Sequence, residues 1–212
     1  HLTSVKNGCA EGACGTCTVL IDGRAKKACV YKLSAMEGRS IVTLEGLSAR
    51  ETELYGYAFA RCGAVQCGFC IPGMVMCAKG LIDRCPAPTP QQVKKAIRGN
   101  LCRCTGYVKI EKAILLAADL LAGRAVVEQD DFTGIGKPAM RVDAFDKATG
   151  KAQYCDDVFL DGSLYGKVLR SAYPRARILS IDTSRAAALP GVAAVMTAAD
   201  VPGNNIDGYM VK

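Results

Sequence analysis

The cysteines are the residues whose type and spacing point most directly to chemistry. The chain has 212 residues and 12 cysteines, most of them clustered at short intervals where mutual disulfide bonds would be awkward. Disulfide frameworks also belong mainly to short chains with small cores, whereas half of these residues are hydrophobic. The pattern therefore favours metal ligands over disulfides.

The first cysteine group is Cys9-x4-Cys14-x2-Cys17, followed by Cys29. The C-x4-C-x2-C spacing is that of plant-type ferredoxins, in which four thiolates hold a [2Fe–2S] cluster. Small residues between the cysteines would let backbone N–H groups turn towards the sulfurs. We expect these four cysteines to be cluster ligands. Structural zinc, which usually shows C-x2-C pairs, is the alternative.

The second group combines Cys67-x2-Cys70 with Cys102-x-Cys104. Each pair is expected at a helix start or a turn, and two such pairs on neighbouring helices can bring four thiolates together. Taken alone, this group fits either zinc or a second [2Fe–2S] cluster. The first group beside it favours iron–sulfur.

The elements that must position the first group are strands. Asp22-Gly23 between two β-prone runs, Cys17–Ile21 and Ala28–Leu33, predicts a hairpin whose second arm carries Cys29. A third extended run follows at Ser40–Leu44. We expect residues 1–45 to form one ferredoxin-like domain.

Residues 46–123 are predicted to form a bundle of four helices that positions the second group. Thr89 and Gln92 form a capping box with Pro90 at the first helical position. An apolar stripe runs from Ile110 to Leu121 and ends before Gly123. The other two helices are expected at Glu51–Arg61 and Pro72–Arg84.

The remainder of the chain predicts a linker at 124–137 and an incomplete α+β segment at 138–212. Strands are expected at Leu164–Ala172, Ile178–Asp182 and Val192–Thr197, with a short helix at Ser184–Leu189. The predicted fold class of the whole chain is α+β.

Charge and hydropathy indicate a soluble protein. The formal net charge is +7, but no basic run reaches five residues, and two oxidised clusters would lower the charge to about +3. We expect neither nucleic acid nor membrane as a partner, because no apolar run could span a bilayer. The chain starts at His1 rather than Met, so we expect preceding residues to be missing. A cytoplasmic location is expected, although a signal peptide would lie in that missing part.

Three motifs and the segment after the linker resemble the xanthine dehydrogenase and aldehyde oxidoreductase family of molybdenum hydroxylases. The first motif, Gly8–Val19 (GCAEGACGTCTV), is similar to that family's first cluster loop. Gln66–Met74 (QCGFCIPGM) and Arg98–Tyr107 (RGNLCRCTGY) resemble its second-cluster motifs. Lys147–Tyr154 (KATGKAQY) and nearby runs are similar to the opening of its molybdenum region. The resemblance implies a truncated β-grasp ferredoxin-like domain, a four-helix [2Fe–2S]-binding bundle and the start of an α/β hammerhead domain, with no flavin domain between them.

The resemblance also implies roles for two residues near the second group. Gln66 would hydrogen-bond the molybdopterin, although it could instead be a mere helix cap, and Cys104 would be the cluster ligand nearest the pterin. The family's catalytic glutamate would lie beyond Lys212, so no catalytic residue is assigned. Cys62, Cys77, Cys85 and Cys155 are expected to be small buried hydrophobic residues.

The function implied by the resemblance is the transfer of single electrons. They would pass from a molybdopterin centre through the second cluster, then the first, to a flavoprotein subunit or a soluble carrier. The remainder of the molybdenum region would be a partner, and a homodimer is possible. The alternatives are a structural zinc module for protein contacts and a stand-alone ferredoxin-like carrier. Purines, aromatic heterocycles and aldehydes remain open as substrates, with a purine slightly preferred.

Overall fold

The protein forms two compact units, residues 1–158 and 159–212. The structure is a computed structural model that describes residues 2–128 and 135–203. Residues 129–134 of the predicted linker and the end of the predicted last segment lie outside the described residues. Helices and one small sheet are both present, which confirms the α+β class.

A three-stranded antiparallel sheet lies next to the first cysteine group. The strands are β1 (Thr18–Ile21), β2 (Arg24–Lys27) and β3 (Ile41–Val42), in the order β2-β1-β3. The predicted turn is confirmed, because Asp22 and Gly23 have φ of 49° and 72°, as a tight two-residue hairpin requires.

The second strand of the hairpin lies at Arg24–Lys27 and not at the predicted Ala28–Leu33. A two-residue turn puts Arg24 opposite Ile21 and Lys27 opposite Thr18, so all four residues of β1 are paired before Ala28 is reached. The chain then leaves the sheet in a 3-10 turn, Ala28–Val30. The prediction of a strand at Ala28–Leu33 was therefore wrong, and Cys29 lies in this turn.

The four predicted helices are confirmed. Their bounds are α1 Ala49–Arg61, α2 Ile71–Ile82, α3 Pro90–Ile97 and α4 Val108–Leu121. The capping box of Thr89 and Gln92 forms as predicted, and Ser48 and Glu51 form another at the start of α1.

The core of the first unit lies between these helices. Phe59, Met74, Ile110 and Ile114 are fully buried there, and the small residues of α4, such as Ala113, let the helices approach. Each large side chain contributes about 1.5–3 kcal/mol by its removal from water. The helix ends that carry the second cysteine group are therefore fixed in position by a packed core.

A further short helix, α5 (Ala144–Ala148), packs against α1 in the same compact unit. The contact is close, because a Cβ on Gly56 of α1 would lie 2.5 Å from the ring of Phe145. The segment predicted to open a separate domain at residue 138 thus packs with the bundle as far as Val158. The bounds of the four predicted segments, 1–45, 46–123, 124–137 and 138–212, remain a prediction.

In the described part of the second unit, residues 159–203, there are one short helix, α6 (Ser184–Ala187), and a 3-10 turn at Ala198–Asp200. Between residues 159 and 203 no strand is formed, so the predictions of strands at Leu164–Ala172, Ile178–Asp182 and Val192–Thr197 were wrong for this structure. A strand needs a neighbouring strand to pair its N–H and C=O groups, and no described segment supplies one. Of the described helices, none has the length and apolar character to cross a membrane.

Candidate metal centres

The first cysteine group lies in a loop whose backbone N–H groups point at sulfur. The N–H groups of Glu11 and Cys14 each donate to Cys9 Sγ at 3.4 Å. These donors, that of Cys14 first, lower the pKa of the Cys9 thiol to about 7, because they favour its charged form. The loop thus stabilises a thiolate at Cys9.

The other half of the first group joins the loop to the turn after β2. Cys29 Sγ accepts a hydrogen bond from the N–H of Gly12 at 3.3 Å, and the thiol of Cys29 neighbours that of Cys17. Burial raises the pKa of Cys17, and the thiols of Cys29 and Cys14 add to this. The four thiols therefore fall into two pairs, Cys9 with Cys14 and Cys17 with Cys29.

The second group forms pairs that cross between its two loops. Cys67 Sγ lies 3.6 Å from Cys104 Sγ, and the thiol of Cys70 neighbours that of Cys102. Cys70 is the N-cap residue of α2 and so lies at the start of that helix. Burial raises the pKa of Cys70, whereas Cys67 and Cys104 are exposed. Cys70 is thus enclosed by protein, Cys102 is half-buried, and the pair of Cys67 and Cys104 lies at the surface.

Hydroxyl groups support the loop of Cys102. Thr105 Oγ1 donates to Cys102 Sγ at 3.1 Å, and Tyr107 Oη accepts the Cys102 N–H at 2.8 Å. Burial raises the pKa of Cys102, but the Thr105 hydroxyl and the N–H groups of Cys104 and Thr105 outweigh it, so the pKa is lowered. Tyr107 has φ of 70°, a strained conformation for a bulky residue, which its hydroxyl contacts hold in place.

The two groups are in direct contact through the residues before Cys102. The N–H of Leu101 donates to the carbonyl oxygen of Cys14 at 2.8 Å. The buried amide of Asn100 donates to the carbonyl oxygen of Gly15 at 2.9 Å and accepts from Cys77 Sγ at 3.2 Å. Gly15 must be glycine, because a Cβ there would lie 2.5 Å from the carbonyl oxygen of Gly99.

The donor set fits two-iron clusters better than single metal ions. Each group supplies two pairs of thiols, and an iron in a [2Fe–2S] cluster takes two thiolates, the bridging sulfides completing its shell. Structural zinc needs four ligands around one ion. Within residues 2–128 and 135–203, no three His, Cys, Asp or Glu side chains are placed to hold one metal ion.

The remaining predicted residues have mixed outcomes. Gln66 is exposed and is not a helix cap, since α2 is capped by Cys70 four residues later. Cys77 is buried, as expected, and burial raises its pKa to about 11. Cys62 and Cys85 are only half-buried. The expectation for Cys155 was wrong, because it is exposed in a 3-10 turn that leaves its side chain uncovered.

Several residues that support the second group were not singled out from the sequence. Asn100, Thr105 and Tyr107 lie inside the third motif, Arg98–Tyr107. Their polar side chains, close in sequence to Cys102 and Cys104, could have indicated that they hydrogen-bond this loop. Lys147 and Tyr154 contact the loop of Cys67 from a distant part of the chain. They bound a run that carries the family resemblance, but no local pattern connected them with the cysteines.

Comparison with known proteins agrees with this donor set. The family described as "2Fe-2S iron-sulfur cluster binding domain" matches residues 3–53, and "[2Fe-2S] binding domain" matches residues 43–115. "Aldehyde oxidase and xanthine dehydrogenase, a/b hammerhead domain" matches residues 149–211. The predicted order of ferredoxin-like, helical and hammerhead regions is therefore confirmed.

Relatives and solved structures cover the chain to different extents. An aldehyde oxidoreductase of Megalodesulfovibrio gigas is 36% identical over 217 residues, 96% of this chain and 24% of that protein. The iron-sulfur-binding subunit of xanthine dehydrogenase from Escherichia coli O157:H7 is 44% identical over 119 residues, 54% of this chain and 74% of that subunit. The crystal structure of the aldehyde oxidoreductase from Desulfovibrio desulfuricans ATCC 27774 matches with a TM-score of 0.86 and 37% identity, over 96% of this chain and 24% of that one.

The chain thus spans about a quarter of the aldehyde oxidoreductases and most of the xanthine dehydrogenase subunit. Both of its cysteine groups fall within the matched iron–sulfur regions. On these grounds the chain belongs to the family of molybdenum hydroxylases that includes the xanthine dehydrogenases and aldehyde oxidoreductases, and it carries that family's [2Fe–2S]-binding regions.

Proposed function

We propose that the chain transfers electrons for a molybdenum-dependent hydroxylase whose molybdenum-binding region works beside it. Each [2Fe–2S] cluster, when bound, supplies a centre that accepts one electron at a time. The chain's own residues hold the clusters, direct N–H and hydroxyl donors at their sulfurs and keep the two sites in contact.

The ligand assignment follows the thiol pairs. Each of the four pairs would hold one iron: Cys9 with Cys14, Cys17 with Cys29, Cys67 with Cys104 and Cys70 with Cys102. The donors at the sulfurs favour the charged thiolates, which are the form that binds iron.

The observation that carries the proposal is the hydrogen bond from the Leu101 N–H to the carbonyl oxygen of Cys14. It joins Cys14, a ligand residue of the first site, to Leu101, the residue directly before Cys102 of the second site. Electrons could pass between the sites along this short path of covalent bonds and one hydrogen bond. A zinc module for protein contacts would need no such link.

The direction of transfer is supported by exposure around the second site. Gln66, Cys67 and Cys104 lie together at the surface, where a molybdopterin held by another region could approach. We propose that Gln66 hydrogen-bonds this cofactor and that Cys104 is the ligand nearest to it. The first site would then pass electrons to a flavoprotein subunit or a soluble carrier.

Aldehydes are the substrate class that we propose. Two proteins that match 96% of this chain are both aldehyde oxidoreductases. Their matches extend over the cluster regions and the hammerhead region together. This replaces the slight preference for a purine.

The test is electron transfer in the protein together with its molybdenum-binding region. An aldehyde should reduce both clusters, seen as two [2Fe–2S] electron paramagnetic resonance (EPR) signals. Gln66→Ala should leave both signals under dithionite but slow their reduction by the aldehyde, since a polar partner of the cofactor is lost. Gln91→Ala, at an exposed glutamine of α3, is the control and should change neither. Loss of the second cluster in Gln66→Ala would contradict the role of Gln66, and reduction by xanthine but not by aldehydes would contradict the substrate class.

A further inference from the structure

Two side chains from the segment after the bundle hold the loop of Cys67 by its carbonyl oxygens. Lys147 Nζ donates to the carbonyl oxygen of Gln66 at 3.3 Å, and Tyr154 Oη donates to that of Cys67 at 2.8 Å. Two consecutive carbonyl groups are thus held by donors that lie 81 and 87 positions further along the chain.

The placement of these donors is specific. Lys147 is largely buried, with 14% of its side chain exposed, and it packs so closely on Gly68 that a Cβ there would lie 2.7 Å from Lys147 Cβ. Gly68 has φ of 86°, so both its conformation and its surroundings require glycine. The ring of Tyr154 meets Phe69 edge-on at 5.3 Å.

Ion pairs and a cation–π contact hold both donors in place. Lys147 is paired with Asp143 at 2.8 Å, which neutralises part of its charge, and Asp143 also binds Arg141. Lys6 Nζ lies 4.6 Å from the centre of the Tyr154 ring and is paired with Asp157. Burial raises the pKa of Tyr154 to about 12, with the thiolates of Cys67 and Cys70 acting in the same direction, so its hydroxyl remains a donor at neutral pH.

Peptide geometry carries the effect of these donors to the sulfurs. The C=O and N–H groups of a trans peptide point in opposite directions. Holding the Gln66 carbonyl at Lys147 therefore turns the Cys67 N–H the other way, towards the Cys104 thiol. The side chain of Cys67 raises the pKa of Cys104, whereas this N–H acts against it, as a donor to that sulfur does. Tyr154 holds the carbonyl oxygen of Cys67 itself, so the residue that supplies this N–H is fixed at both of its peptide groups.

We propose that Lys147 and Tyr154 are positioning residues that raise the reduction potential of the second cluster. A cation at the carbonyl end of a peptide polarises it and makes its N–H a stronger donor. Donors at the sulfurs stabilise the reduced cluster, which carries one more negative charge. The inference rests on the ligand assignment in the proposed function, and it makes the segment that leads into the hammerhead region a determinant of the second cluster's potential.

The test is an anaerobic redox titration of the iron-loaded protein followed by EPR, with each signal assigned by Cys17→Ser and Cys102→Ser. In Lys147→Met the reduction potential of the second cluster should fall. At the same applied potential, the ratio of reduced to oxidised cluster should be about tenfold smaller, which corresponds to about 59 mV for one electron. The first cluster should not shift. Tyr154→Phe, which removes only the hydroxyl, should give a smaller shift in the same direction.

Two controls separate this role from loop stability and from net charge. Lys147→Arg keeps the cation and should keep the potential. Lys94→Met removes an exposed and solvent-screened charge and should shift neither cluster. An equal shift of both clusters in Lys147→Met, or no shift of the second cluster in Tyr154→Phe with both clusters present, would overturn the inference. If Lys147→Met fails to assemble the second cluster, the potential of the second cluster in Tyr154→Phe is the result that tests the inference. Absence of both signals from the unmodified protein would instead overturn the proposed function.

Discussion

The side-chain amide of Asn100 donates to the carbonyl oxygen of Gly15 at 2.9 Å and so joins the two cysteine-bearing loops inside the protein. Only 3% of Asn100 is exposed, and its amide also contacts Thr18 Oγ1 and Cys77 Sγ. One buried side chain therefore ties the sheet, α2 and the loop of Cys102 together.

Asn100→Ala should destabilise the whole first unit. The thiol of Cys77 and the carbonyl oxygen of Gly15 would lose a buried partner, at a cost of about 1–3 kcal/mol. Thermal unfolding followed by circular dichroism should show a melting temperature several degrees lower. Asn7→Ala, at an exposed asparagine, is the matched control and should leave it unchanged. Equal melting temperatures for the two variants would show that the Asn100 network contributes little.

Removal of one ligand from each group should remove one cluster at a time. Cys17→Ser and Cys102→Ser should each lower the iron content to about two per chain and abolish one of the two EPR signals. Cys77→Ala should keep both signals, because Cys77 is buried and bonded to Asn100 instead of lying in a thiol pair. A single substitution that abolished both signals would mean that the groups do not form separate clusters.

In the cluster-free protein, Cys9 should be the most reactive thiol near neutral pH. The N–H groups of Cys14 and Glu11 lower its pKa to about 7, so about half of it is thiolate at pH 7, and that fraction falls as the pH drops. The burial that raises the pKa of Cys77 to about 11 should keep that thiol unreactive. Iodoacetamide labelling between pH 6 and 9, read by peptide mass spectrometry, measures both. Labelling of Cys9 no faster than that of the half-buried Cys85 at pH 7 would contradict the prediction.

Thr105→Val should weaken the second cluster while leaving the first intact. The substitution keeps the shape of the side chain but removes the hydroxyl that donates to Cys102 Sγ at 3.1 Å. Because that donor favours the thiolate, the second cluster should be lost sooner in air than in the unmodified protein. Samples taken during the exposure are reduced with dithionite, and the second EPR signal that remains is measured. Thr105→Ser restores the hydroxyl and should restore the lifetime. Equal lifetimes in the valine and serine variants would exclude a role for the donor.

Local sequence features predicted the parts of the fold that depend on local physics. The Asp22-Gly23 turn, the capping box of Thr89 and the apolar stripe of α4 each need only residues close in the chain, and each is confirmed. The cysteine spacing likewise indicated two iron–sulfur sites, which the family comparison supports.

The features that were missed depend on residues far apart. The second hairpin arm was displaced because its register follows from the turn and not from β-propensity. Extended apolar runs such as Leu164–Ala172 become strands only beside a pairing segment. The contacts of Lys147 and Tyr154 with the loop of Cys67 join two segments that have no common pattern, so no local pattern could predict them.

The measurement that tests the central claim most directly is the iron and acid-labile sulfide content of the folded, iron-loaded protein. The account predicts a brown protein with about four irons and four sulfides per chain, since each of the four thiol pairs holds one iron. A colourless protein that binds two zinc ions per chain and no sulfide would contradict it.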